Sequence, residues 1–257
     1  MNSLQIKGIC DESRLKLGEK KGILVIACLI VFIYIFNQKF DFAEEINLFA
    51  KSQEDSTEND TSEIKKFQLD VPLINQMEHP RLYNGCEVTS LAMLLNYHGI
   101  EVTKNELAEK IAKVPLQYDN GLYGNPNVGF VGNMEDGPGL AVYHEPIYQL
   151  AVQYAGKKVI DLTGETFEKV IKQLQKGLPV WVIVTNTFQP VHNFQTWDTP
   201  QGEIQITFSE HSVVITGFDQ EYLYLNNPYG TKNQKVDRQA FIQAWEQMGK
   251  QAIVITK

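Results

Sequence analysis

Apolar residues change their spacing twice along the chain. From residue 22 to 36, GILVIACLIVFIYIF, they are unbroken. Past Cys86 they take a helical period: Val88, Leu91, Ala92 and Leu95 fall at i, i+3, i+4 and i+7, predicting one apolar stripe, with Gly99 placed for a left-handed cap. VTKNELAEKIAK opens a further helix, with Thr103 as N-cap and Glu106 three residues on as a capping box. HEPIYQLAVQYAG reads as another, and so does GETFEKVIKQLQKGLP, whose Phe167, Val170, Ile171 and Leu174 repeat the stripe before Gly177 and Pro179 end it. The pattern then becomes that of strands: VWVIVTN, EIQITFS, HSVVITGFD, YLYLNN and QAIVITK, with the helix RQAFIQAWEQMG before the last. Helices first and antiparallel strands second is an α+β arrangement.

The unbroken run sets the domain organisation. As a helix its 15 residues reach about 22 Å, short of the ~30 Å hydrocarbon core, and residues up to 40 extend it. It is either an uncleaved anchor or a long signal-peptide core. NQKFDFAEE after it offers no small-x-small cleavage pair, which favours an anchor. Lys7, Arg14, Lys16, Lys20 and Lys21 place the leader in the cytoplasm and the rest of the chain outside. VIAC matches a lipobox, but few apolar residues precede Cys28 and the run continues past it, which disfavours lipidation. The expected organisation is a leader at 1–21, a membrane segment at 22–40, an acidic solvated stalk at 41–66 and one domain at 67–257. The domain is membrane-anchored and extracellular, or secreted if the segment is cleaved.

The net charge of −8 argues against a nucleic-acid partner, because phosphate contacts need clustered Lys and Arg. The glycine-rich stretch YDNGLYGNPNVGFVGNMEDGPG matches no phosphate-binding pattern and reads as a long ordered loop bordering a cleft.

Beyond the membrane segment Cys86 has no cysteine to pair with. Its thiol is either buried and inert or kept for reactivity. Gly85 allows close backbone approach, and a thiolate in the first helical turn would feel unpaired amides and the positive end of the dipole, which lower its pKa. The Cys86 amide would be an oxyanion donor beside it.

A base is still required. His98 lies on the same helix about 18 Å away. His79, His144 and His192 read as loop or surface residues. His211 starts the strand EHSVVITGF, whose neighbour ends in Asn226 and Asn227. An amide oxygen at that turn could fix its tautomer. On residues alone, a structural and a catalytic His211 stay open.

The blocks LDVPLINQ, NGCEVTSLAMLLNYHG, GFVG, LPVWVIVT, EHSVVITGFD, LNNPYG and FIQAWEQMGKQAIVI resemble the C39-like papain-fold cysteine peptidases, relatives of the double-glycine leader peptidases. The resemblance covers nearly all of residues 67–257. It implies a papain-like fold, Cys86 as nucleophile, His211 as general base, Asn227 as third member where most relatives have Asp, and Gln76 completing the oxyanion hole. The implied substrate is a peptide or protein, cleaved through a thioester. No cofactor or metal is implied: there is no His-Glu-x-x-His, and one cysteine cannot make a zinc ring. Sortases carry His before Cys, the reverse order. Acyl transferases or amidases share the order found here, and a binding module that has lost turnover is kept open by the Asn227 departure.

Overall fold

A computed structural model describes residues 66–257. The leader, the apolar run and all but the last residue of the acidic stretch lie outside those residues. Among the described residues no helix is long and apolar enough to cross a membrane.

The frame is an antiparallel sheet built from β1 (Phe67–Gln68), β4 (Val159–Asp161), β5 (Val180–Thr185), β8 (Glu210–Phe218), β9 (Tyr222–Asn227), β10 (Thr231–Asp237) and β11 (Ala252–Ile255), in the order β10-β9-β8-β5-β11-β4, with β1 paired to β8. Helices cover both faces. On one, α1 (Cys86–Tyr97), α2 (Lys104–Lys110) and α3 (His144–Ala155) pack Leu91, Leu95, Leu107, Ile147 and Leu150 against Trp181, Ile183, Ile253 and Ile255. On the other, α4 (Phe167–Gln175) and α5 (Arg238–Gln247) pack Phe167, Val170, Leu174, Phe241 and Trp245 against Val180, Val182, Val184, Val213 and Ile215. Burial on both faces explains why β5 and β8 read as near-continuous apolar runs rather than alternating ones. Every residue of both strands is buried.

The helix ends follow the local signals. Gly99 has φ +75°, and the amides of Gly99 and Ile100 donate to the carbonyls of Asn96 and Leu95, which satisfies two end carbonyls in a Schellman arrangement. Thr103 and Glu106 exchange their capping-box bonds. Helix α1 departs from the single-stripe expectation: all residues from Cys86 to Leu95 are buried. It is enclosed by the sheet, α2, α3 and the glycine-rich loop, so its polar residues need partners. Thr89 donates to the Gly85 carbonyl and Ser90 to the Ser212 carbonyl.

Other elements escape the apolar pattern or depart from what it implied. Strand β10, TKNQKVD, is mostly exposed at the sheet edge, where its lysines discourage edge-to-edge pairing. The hairpin β6 (Gln195–Thr199) and β7 (Gly202–Ile206) forms a separate sheet, so EIQITFS does not join the main one. The glycine-rich loop contributes β3 (Phe130–Val131), paired with β2 (Lys113–Val114), and stacks Tyr123 on Trp197 of the hairpin at 4.3 Å. Its backbone carbonyls at Glu135 and Met134 accept from Tyr83 and Asn84, fixing the approach to α1.

At Gly217 the chain has no room for a side chain: a Cβ would lie 2.2 Å from the Phe67 carbonyl oxygen. Gly217→Ala is expected to push β1 off β8 and destabilise the domain by roughly 1–3 kcal/mol. Urea unfolding at constant m-value measures this, and an unchanged midpoint would contradict the close packing.

Candidate active site

Cys86 opens α1 directly after Gly85. A Cβ on Gly85 would stand 2.5 Å from Leu82 Cβ, so glycine there serves close approach. The thiol is nearly enclosed, 7% exposed. It donates to Glu87 Oε2 at 3.3 Å, and Glu210 Oε2 lies 3.9 Å away. The Ser212 backbone N–H also faces the sulfur. Residues 210 and 212 of β8 thus frame it.

His211 lies between them in sequence. Its ring stacks on Tyr229 at 5.0 Å with planes 9° apart, and Phe188, from the α4–α5 side core, is 6.2 Å away. No hydrogen bond joins the imidazole to Cys86 among the described residues.

The imidazole tautomer follows from its partner. Asn227 Oδ1 accepts the Tyr229 backbone N–H at 3.1 Å, and Asn227 Nδ2 donates to Gln234 Oε1 at 2.9 Å, so the amide orientation is set. His211 Nε2, 3.0 Å from that same Oδ1, must therefore be the donor. In the neutral ring the lone pair is then on Nδ1, free to act as a base.

Gln76 ties the two halves together. Its backbone N–H donates to the Pro228 carbonyl, beside Asn227. Its Nε2 donates to the carbonyls of Leu82 and Tyr83, on the approach to Cys86. Both amide hydrogens are committed, so Gln76 presents no free donor to an oxyanion in this arrangement. Its Oε1 is buried without a partner.

The other histidines stand apart from the thiol. His79 and His192 are exposed. His98 caps α1 with its Nε2 buried and unpartnered. His144 is half-buried against Gln251 and Asp161 rather than plainly surface.

The electrostatics reverse one expectation. The helix N-terminus was expected to lower the Cys86 pKa; instead burial, then the charges of Glu87 and Glu210, push it well above its usual value, against the pull of the Ser212 amide. Burial also raises Glu87 to about 7, held down by amides including that of Val142. Glu210 goes well above the carboxylate range through burial and then Glu87. Burial lowers His211 to about 4, opposed by the Asn227 hydrogen bond. At neutral pH the resting site therefore holds a protonated thiol and an uncharged imidazole.

Glu87 and Glu210 are the site residues that motif reading missed. Each is the sequence neighbour of a motif residue, in CE and EH. The available signal was an acid inside a segment otherwise destined for the core.

The thiolate is the reacting species, so Cys86 should alkylate more slowly at neutral pH than a free cysteine of pKa about 8.5. Glu210→Gln removes one repelling acid and should move the alkylation inflection to lower pH. Iodoacetamide labelling of the protein against pH, read on the Cys86 peptide by mass spectrometry, checks this. A parent inflection below that of free cysteine would contradict it.

The model of the Peptidase_C39 like family matches residues 68–253. The uncharacterized protein YvpB of Bacillus subtilis (strain 168) is 62% identical over 208 residues, covering 80% of this chain and 83% of that protein. A crystal structure of a Bacillus anthracis protein designated a C39-like peptidase superposes with TM-score 0.72 at 47% identity, covering 75% of this chain and 98% of that one. A double-glycine motif protease from an AMS/PCAT transporter, solved with its leader peptide, superposes at TM-score 0.38 and 17% identity over 75% of this chain and 95% of its own, too distant to inform the site. With its fold and matched span together, the chain belongs to the C39-like peptidase family.

Proposed function

We propose that this protein is a cysteine peptidase that hydrolyses peptide bonds through Cys86, His211 and Asn227. The observation that carries the reading is the His211–Asn227 pair, whose donor sense leaves Nδ1 as the base on the strand that frames the thiol.

In this mechanism Nδ1 takes the Cys86 proton as the sulfur attacks the substrate carbonyl. The Cys86 amide, in the first turn of α1 and without a helical acceptor, donates to the developing oxyanion. The imidazolium then protonates the leaving amine, a thioester remains, and water, deprotonated by Nδ1, hydrolyses it. The thiol has to turn from Glu87 toward His211 for the first step. Asn227 orients the ring, and Gln76 acts through the segments on either side by holding the Asn227 turn and the Cys86 approach in register.

The apolar run at 22–36 and the basic leader before it support a membrane-anchored, extracellular placement of the domain. A binding module without turnover is the second reading, favoured by the thiol's engagement with Glu87 rather than His211.

Hydrolysis of a peptide library by the full chain decides between them. Cys86→Ala should abolish cleavage, and His211→Ala should lower kcat/KM by roughly 10²–10⁴. Asn227→Ala should lower kcat by about tenfold or more with little change in KM, because it frees the tautomer without removing the base. Cleavage that survives Cys86→Ala would overturn the nucleophile, and no cleavage by the parent, with peptide still bound, would favour the binding module.

A further inference from the structure

Cys86 and Glu87 from α1 and Glu210 from β8 converge so that the sulfur and one oxygen of each carboxyl all lie within 4.8 Å of one another. The sulfur stands 3.3 Å from Glu87 Oε2 and 3.9 Å from Glu210 Oε2. A tetrahedral zinc ion, with Zn–S about 2.3 Å and Zn–O about 2.1 Å, sets its sulfur and oxygen ligands roughly 3.6 Å apart. The two distances straddle that value, so small side-chain adjustments make one face of a tetrahedron, with the fourth position left for water.

One observation beyond the convergence points to a ligand there. Glu210 is only 9% exposed, and its Oε1 is buried with no hydrogen-bond partner. A carboxyl in that state lacks an interaction that a cation would supply. In addition, the ion pairs among the described residues include neither Glu87 nor Glu210. When empty, the site keeps its acids uncharged by protonation, and a bound cation would take the place of those protons.

We propose that Cys86, Glu87 and Glu210 form a binding site for a thiophilic divalent cation, with zinc as the best fit, and that the bound cation holds the nucleophile inactive. On binding, the thiol proton and any carboxyl proton leave to solvent, a metal–sulfur bond forms, and the sulfur electron pair that would attack a carbonyl is occupied. A thiolate and two carboxylates are a mixed donor set that zinc accepts and that magnesium, which prefers oxygen ligands, does not. His211 is not among the side chains that converge there. The inhibitory consequence rests on the peptidase reading; the site itself does not.

The test titrates the chelator-treated full chain with Co²⁺, a spectroscopic stand-in for zinc. The expected result is one equivalent bound, with a thiolate-to-cobalt charge-transfer band and the intense d–d absorption of tetrahedral cobalt, both removed by Zn²⁺ and by Cys86→Ala. Glu210→Gln should weaken Co²⁺ binding by about tenfold or more. If Glu210→Gln shows no cooperative melting transition, Glu87→Gln provides the same reading. No band, a band that survives Cys86→Ala, or unchanged affinity in a folded glutamine variant would overturn the site. Peptide hydrolysis in chelator, measured beside it, separates the two claims: a cobalt band without hydrolysis leaves the site and removes the peptidase, and hydrolysis unaffected by Zn²⁺ with no band does the opposite.

Discussion

Strand β8 is the constraint on which the rest depends. All nine of its residues are buried, and it pairs with β5, β9 and β1. So enclosed, it cannot slip by one residue without turning its core face outward. That fixed register delivers three consecutive residues to different tasks. Glu210 meets the thiol, His211 meets Asn227, and the Ser212 carbonyl accepts from Ser90 of α1. The thiol and the imidazole are therefore carried by one rigid element pair, α1 and β8.

Burial then decides the chemistry. Near the surface, the first turn of α1 would favour a thiolate; here desolvation and two neighbouring acids outweigh the dipole, and the resting state is neutral. An Asn at position 227 suits such a site. It orients the imidazole as a carboxylate would, without adding another buried acid to a site that already holds two. In the proposed mechanism the cost is weaker stabilisation of the imidazolium. The same crowding of acids around a soft sulfur is what suits the site to a cation.

Much of this was legible in the chain. The end glycines at 99 and 177, the Thr103–Glu106 box and the runs of β5, β8, β9 and β11 announced their elements because each is decided locally, by caps or by long apolar runs. The juxtaposition of His211 with the turn after YLYLNN followed from adjacent antiparallel strands. Strand β10 was not legible, since an edge strand with both faces partly wet has no apolar pattern to show. Nor were Glu87 and Glu210 as neighbours of the thiol. An acid beside a cysteine or a histidine reads as surface charge until tertiary packing encloses it, and here the enclosing partners, β8 and the Val142 segment, are distant in sequence. The direction of the Cys86 pKa shift failed for the same reason: the dipole is a local property and desolvation is not.

The most direct test of this account is the protonation of Cys86 in the resting protein. An infrared difference spectrum between the metal-free parent and Cys86→Ala at neutral pH isolates the S–H stretch of that residue. The account predicts a band, shifted by hydrogen bonding to Glu87 and moved again by Glu87→Gln. A spectrum with no S–H band, showing a thiolate already formed at neutral pH, would contradict it.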